Sequence, residues 1–176
     1  MKFTPTKIKG VYIIELSPHK DERGYFSRSF CANEFQKKGL DFNMVQSNIS
    51  FSKKKYTLRG MHFQKNGHEE AKLIKCIKGR IIDTVIDLRP KSKSFCQHVS
   101  IELSENDLKL IYVPKFFAHG FITLEENTEV LYQVSAFYSK ENESGIRWND
   151  PLFNINWPTE NPILSYKDAN HLNYIK

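Results

Sequence analysis

An all-β jelly roll is the fold this chain predicts, and three observations predict it. Strand-like runs recur at regular spacing along most of the 176 residues. Helical patterning is confined to one short stretch. Aromatic residues, with 13 Phe and 8 Tyr, supply the side chains that favour pleated, half-buried surfaces. Many short strands with almost no helix make a sandwich or a barrel, and a jelly-roll barrel has a mouth and interior that can hold a ligand.

Taken in order, Gly10-Val11-Tyr12-Ile13-Ile14 reads as a short opening strand. A helix is expected over Asn33 to Lys38, with Asn33 as its N-cap and Gly39 as its stop. Residues 42–52, 57–64, 71–78, 80–88, 95–103, 108–113, 118–124 and 128–138 read as strands between turns and polar clusters. The run from Lys72 to Asp87 reads as a hairpin turning at Gly79. In its second arm Ile82, Thr84, Ile86 and Leu88 share one face, and Ile81, Asp83, Val85 and Asp87 share the other. Two aspartates on an otherwise apolar face imply that this face meets something polar. With no repeat, low-complexity stretch or linker, residues 1–176 read as one domain.

Composition excludes several classes. Hydrophobic residues make up 40% and charged residues 26%, a globular balance. No apolar run reaches the roughly 18 residues of a membrane span, and MKFTPTKIKGVYIIEL lacks a signal-type core, so a cytoplasmic protein without membrane association is expected. Cys31, Cys76 and Cys96 are odd in number and lack zinc-like spacing. The net charge of +6 suits nucleic acid or a small polyanion such as a nucleotide diphosphate. Lys53-Lys54-Lys55 is short and without aromatic interleaving, so it reads as a solvated loop and no nucleic-acid partner is expected.

Reactive residue types concentrate in Leu58–Gln64 with Lys72, in Val113–Phe121, and in Tyr132–Tyr138 with Leu164–Asp168. Strict alternation puts Arg59 and His62 on opposite strand faces unless a bulge intervenes. A metal set of the kind found in cupin barrels would draw on His62, His68 and His119, but its carboxylate position is Lys72, a poor ligand, so no metal is expected. A lysine beside a histidine in an apolar barrel suits proton abstraction next to a carbonyl. His62 can serve as base, Asp168 can fix its tautomer, Lys72 can stabilise the enolate oxygen, and Tyr132 can act as acid. The bland readings are a structural histidine, a solvated edge lysine, and two core tyrosines, Tyr132 and Tyr138, on one strand face.

These segments fall in the order Asp21-x-Arg23-Gly24-x-Phe26, Gln46-x-Asn48-x-Ser50, Leu58-Arg59-Gly60-x-His62-x-Gln64, Lys72-Leu73, Asp83-x-x-x-Asp87-x-Arg89, Pro114-x-x-Phe117-Ala118-His119-Gly120-Phe121, Tyr132 with Tyr138-Ser139, Trp148-Asn149-Asp150-Pro151 and Leu164-Ser165-x-Lys167-Asp168. In that order the chain resembles the dTDP-4-dehydrorhamnose 3,5-epimerase family. The resemblance implies a cupin jelly roll with one or two short helices, a homodimer that exchanges strands, no metal and no organic cofactor. It implies a nucleotide-diphosphate 4-keto-6-deoxy sugar as substrate, inverted at carbon 3 and at carbon 5 during synthesis of a bacterial surface sugar. By the same resemblance His62 is the base with Asp168 as its partner, Lys72 stabilises the enolate, and Tyr132 reprotonates from the opposite face. Arg59, Gln46 and Asn48 are implied diphosphate contacts, His119 a sugar-pocket residue, and Tyr138 an aromatic platform. Arg23 and Phe26 are implied contacts at the nucleotide end, supplied by the partner subunit.

Three positions depart from the family pattern. Arg28 stands where the family usually carries a Glu that meets thymine. An arginine has no acceptor for the thymine N–H but suits the O6 and N7 acceptors of guanine, which points to a GDP-linked sugar. Phe116 and Cys96 each replace a usual glycine, which raises a reshaped pocket and a heptose in place of a hexose. Other readings are a carbon-3-only epimerase, a 3,4-ketoisomerase, against which Tyr132 and Lys72 speak, and a non-catalytic sugar-nucleotide binding module.

Overall fold

The computed structural model describes residues 1–40 and 42–175. Two antiparallel sheets face each other. In chain order the strands and helices are β1 (Lys2–Pro5), β2 (Tyr12–Glu15), β3 (His19–Asp21), β4 (Gly24–Phe26), α1 (Ala32–Lys37), β5 (Gln46–Ser52), β6 (Leu58–Gln64) and β7 (Lys72–Lys78). They continue as β8 (Arg80–Asp87), β9 (His98–Ser104), β10 (Lys109–Val113), β11 (Phe117–Thr123), β12 (Thr128–Val134), β13 (Glu143–Gly145) and α2 (Tyr166–Ala169). The six-stranded sheet runs β1-β2-β10-β7-β12-β5, the five-stranded sheet β13-β6-β11-β8-β9, and β3-β4 forms a separate two-stranded arm. The jelly roll is therefore a sandwich of two sheets.

Alternation explains the core. Ile74, Cys76, Ile111, Val113 and Val130 from one sheet meet Ile81, Val85, Leu103, Phe117 and Phe121 from the other. Each fully buried aliphatic or aromatic side chain contributes about 1.5–3 kcal/mol. The outer face of the six-stranded sheet, with Ile14, Leu73, Leu110 and Tyr112, is covered by Phe35 of α1 and by Phe42. The outer face of the five-stranded sheet, with Met61, Ile86 and Ala118, is covered by Ile146, Phe153, Ile155, Trp157 and Tyr174. Among the described residues no helix is long and apolar enough to cross a membrane.

The expected faces of β8 are observed, but the hairpin at Gly79 is not. β7 and β8 lie in different sheets. Gly79 turns through φ +77°, and a Cβ there would lie 2.6 Å from Thr128 Oγ1, so the chain bends closely past β12 and leaves for the facing sheet. Asp87, fully buried, answers the polar-face expectation within the chain. It accepts hydrogen bonds from Arg89 Nε at 2.8 Å, Ser92 Oγ at 2.6 Å and Ser94 Oγ at 2.7 Å. Burial pushes its carboxyl up, but these donors outweigh burial and hold it at about 2.

Helix α1 starts earlier than its expected cap. Glu34 and Phe35 both donate backbone hydrogen bonds to the Cys31 carbonyl, so Cys31 is the N-cap and Asn33 lies inside the first turn. Strand 42–52 begins only at Gln46, because Phe42 packs against α1. Strand 128–138 ends at Val134, so Tyr138 does not share a strand face with Tyr132. The left-handed φ of +62° at Cys96 keeps residues 95–97 out of β9. Strands β1, β3, β4 and β13 and helix α2 went unread because each is only three or four residues long.

Candidate active site

Two adjoining chambers open between the sheets. The larger, about 460 Å³, is lined by Arg59, His62, Lys72, His119, Phe121, Tyr132, Asp168 and apolar neighbours. The second, about 330 Å³, is lined by Gln46, Asn48, Gln64, Glu70, Tyr138 and Glu143, and shares His62, Lys72 and Tyr132 with the first. The two sheets contribute different chemistry. β6 and β11 bring His62, Arg59 and His119, whereas β7 and β12 bring Lys72 and Tyr132 from the opposite sheet.

Arg59 and His62 reach the same chamber because the register slips. His62 pairs with His119 and Arg59 with Phe121, three steps along β6 against two along β11. The extra residue in β6 cancels the alternation that would have separated them. The slip lies where Gly60 meets Gly120: a Cβ on Gly60 would come within 2.6 Å of the Gly120 Cα. Arg59 is held on the rim by hydrogen bonds from Nη2 to the Phe51 carbonyl at 2.8 Å and from Nε to Ser52 Oγ at 3.2 Å.

His62 Nε2 lies 2.6 Å from Asp168 Oδ1. The carboxylate arrives on α2, whose N-cap Ser165 accepts the Asp168 backbone N–H at 3.0 Å. Asp168 is buried, which pushes its carboxyl up, but the hydrogen bond and charge of His62 together with Ser165 outweigh burial, and the net shift is downward. The carboxylate is thus ionised at neutral pH and fixes the imidazole's orientation. His171, one turn along, places its Nε2 3.7 Å from Asp168 Oδ1. Burial first, and then the neighbouring His62, lower its pKa.

A second buried pair backs the chamber: His119 Nε2 lies 2.7 Å from Asp83 Oδ2. The polar face of β8 is therefore filled by His119 at one aspartate and by Arg89 at the other.

Lys72 is not a lone cation. Its Nζ lies 2.8 Å from Glu70 Oε1, both side chains being nearly buried. Gln64 Nε2 donates to the other Glu70 oxygen at 2.9 Å. Tyr132 is half-buried, and desolvation, with the Glu70 charge adding to it and Arg59 opposing, raises its phenol above the ordinary value. It stays protonated at neutral pH and available as an acid.

Gln46 and Asn48 line the second chamber, and Gln46 Oε1 accepts the Tyr138 backbone N–H at 2.6 Å. The Tyr138 ring is exposed and its phenol pairs with Glu143, which raises the phenol pKa. Glu143 also contacts Lys167.

Three expected contacts lie elsewhere in their own chain. Arg23 pairs with Asp21 at 2.6 Å on the exposed β3-β4 arm, Phe26 is exposed on the same arm, and Arg28 pairs with Glu34 at 3.2 Å. None of them lines either chamber. Phe116 and Cys96 also lie outside both, so the reshaped-pocket expectation fails for them. Both have left-handed backbones, at φ +69° and +62°, which is the reason a glycine suits those positions. His68 is exposed in the loop after β6 and away from the chambers, so the barrel-type metal set does not assemble.

Sequence reasoning missed Glu70, Asp83, Glu143, Lys167 and His171 as site residues. Glu70 stands two residues before Lys72, the spacing that puts side chains on one strand face, and His171 stands three after Asp168, one helical turn. Those spacings were the available signals.

Comparison with known proteins identifies the family. The model of the dTDP-4-dehydrorhamnose 3,5-epimerase family matches residues 5–175. The dTDP-4-dehydrorhamnose 3,5-epimerase of Shigella flexneri is 38% identical over 176 residues, covering 99% of this chain and 97% of that protein. The crystal structure of the enzyme of that name from Elizabethkingia anophelis superposes with a TM-score of 0.95 at 40% identity, covering 99% and 96% of the two chains. The Bacillus anthracis counterpart, crystallised with TDP and PPi bound, superposes with a TM-score of 0.95 at 38% identity, covering 98% and 99%. The chain belongs to the dTDP-4-dehydrorhamnose 3,5-epimerase family.

Proposed function

We propose that this chain is an epimerase that inverts carbon 3 and carbon 5 of a nucleotide-diphosphate 4-keto-6-deoxy sugar. The observation that carries this reading is the placement of an oriented histidine on one sheet opposite a lysine and a protonated tyrosine on the other, across one chamber. The 4-keto group acidifies the hydrogens on both neighbouring carbons. His62, oriented by Asp168, takes the proton, and Lys72 meets the oxygen on which the enolate charge develops. Tyr132 returns a proton from the opposite face, which inverts the centre. One set of groups serves both carbons once the sugar turns in the chamber.

The diphosphate lies toward Arg59, Gln46 and Asn48, with Tyr138 as a platform and His119 against the sugar. Arg23, Phe26 and Arg28 act in the partner's site within a homodimer that exchanges strands. The support is physical: the β3-β4 arm exposes Tyr25 and Phe26, and edge strand β5 exposes Ile49 and Phe51, apolar surface that a second copy would cover. The relatives' names point to a dTDP-linked sugar. A GDP-linked sugar is the second reading, favoured by Arg28, an exposed guanidinium with donors only. The product feeds synthesis of a surface sugar.

Deuterium exchange tests the proposal. The protein is incubated in D2O with a dTDP-linked and, separately, a GDP-linked 4-keto-6-deoxy sugar, and products are read by NMR and mass. Label at carbons 3 and 5 with inversion is expected, and the preferred nucleotide settles the role of Arg28. Label at carbon 3 alone makes the protein a single epimerase. A His62→Asn protein that turns over at the wild-type rate overturns the assignment of the base. Tight binding of either sugar nucleotide without exchange makes the chain a binding module.

A further inference from the structure

Beside the imidazole assigned as base, His62, Asp168 and His171 offer three ligand atoms that all lie within 4.8 Å of one another. His62 Nε2 and His171 Nε2 converge on the same carboxylate oxygen, Asp168 Oδ1, at 2.6 and 3.7 Å. The Nε2 of His171 is buried and has no hydrogen-bond partner among the described residues. A buried polar atom left unpaired costs about 1–3 kcal/mol, a cost that a ligand at this nitrogen would relieve. The position is built for the ring: a Cβ on Gly145 of β13 would collide with the His171 imidazole, so only glycine at that point lets the ring sit against Asp168. Lys167, on the same segment, is paired with Glu143.

We propose that His62, Asp168 and His171 form a binding site for a divalent transition ion of the zinc class, and that filling it switches the catalytic base off. Two imidazoles and one carboxylate are a donor set that suits such ions and not magnesium or calcium. Donors at about 2.0–2.2 Å from a metal stand roughly 3.0–3.5 Å apart, which small ring rotations reach from the present positions. The ion takes the place of the proton between His62 Nε2 and Asp168 Oδ1. A neutral imidazole that ligates through Nε2 carries its one proton on Nδ1, and then neither nitrogen has a lone pair to accept a proton from the sugar. Binding stands on the three side chains alone, whereas the loss of turnover rests on the reading of His62 as base.

The test uses the full chain, stripped of metal and then titrated with zinc chloride by calorimetry, with crystals soaked in zinc and measured at the zinc absorption edge. One site per chain is expected, with an anomalous peak between the three side chains. His171→Ala should weaken that binding by about tenfold or more. A peak elsewhere, or an unchanged affinity in a folded His171→Ala protein, overturns the site. The anomalous peak on the unmodified chain decides the matter even if the variant fails to fold. Exchange at the sugar should stop as the site fills and return with EDTA. Full exchange with the triad occupied would support the metal site and overturn His62 as the base, so the two failures are distinguishable.

Discussion

Replacing Asp168 by Asn probes the proposed base without changing its shape. The side chain is 6% exposed and lies 2.6 Å from His62 Nε2, a charge-assisted contact when the imidazole has taken the substrate proton. Hydrogen bonds to charged groups contribute about 1.5–3 kcal/mol. His62 is 39% exposed, so solvent screens part of this, and the lower half of that range applies, about 2 kcal/mol. At about 1.4 kcal/mol per factor of ten, kcat should fall roughly thirtyfold. Helix α2 should survive, because its cap uses the Asp168 backbone N–H and not the carboxylate. The assay is initial-rate deuterium incorporation at carbon 3, with KM measured alongside. A kcat within about twofold of wild type, or a loss wholly in KM, would refute a carboxylate that supports the imidazolium.

Three further outcomes follow from the geometry. Asp87 is held at about 2 against an ordinary 3.8, a depressed folded value, so its stabilisation of about 2 kcal/mol is present above pH 4 and lost as pH falls toward 2. The stability gap between wild type and Asp87→Asn in urea melts should therefore narrow across that window, and a gap independent of pH sinks the assignment. Phe116→Gly relieves a left-handed residue whose side chain is 53% exposed, and should raise stability by about 0.5–1 kcal/mol in the same melts; a loss would show that the ring packs. Gly60→Ala pushes a methyl to within 2.6 Å of the Gly120 Cα and should cost about 3 kcal/mol or more, so a change under about 1 kcal/mol would mean that the two strands part easily.

Local chemistry was legible in the sequence where it depends on neighbours in the chain. The two faces of β8 followed from alternation, and Asp83 and Asp87 did meet polar partners. Convergence over long separations was not legible from spacing. His62 and Asp168 are 106 residues apart, and their pairing was suggested by residue chemistry and by the family resemblance, not by spacing. Gly79 misled because a glycine turn between two apolar strands serves a hairpin and a sheet-to-sheet crossing equally well. The start of α1 was misread because Cys31 caps with its carbonyl alone and offers no side-chain signal. Glu70 was overlooked although it stands two residues before Lys72, just ahead of β7, because a cation in a buried place needs a neutralising partner and the sequence reading named none.

The manner in which Asp168 arrives separates foldedness from competence. The segment that carries it adds no strand to either sheet. It is fastened by the Thr57–Ile163 bridge, by the Arg147 N–H donating to the Leu172 carbonyl, and by the Tyr174 N–H donating to Asp150. The sandwich has its own core between the sheets, so this strap can detach while both sheets remain paired. Such an opening withdraws the carboxylate and uncovers the apolar surface around Met61 and Ile86 in the same movement. Inactivation by heat or mild denaturant should then precede the loss of β structure, which circular dichroism read beside the exchange assay would show.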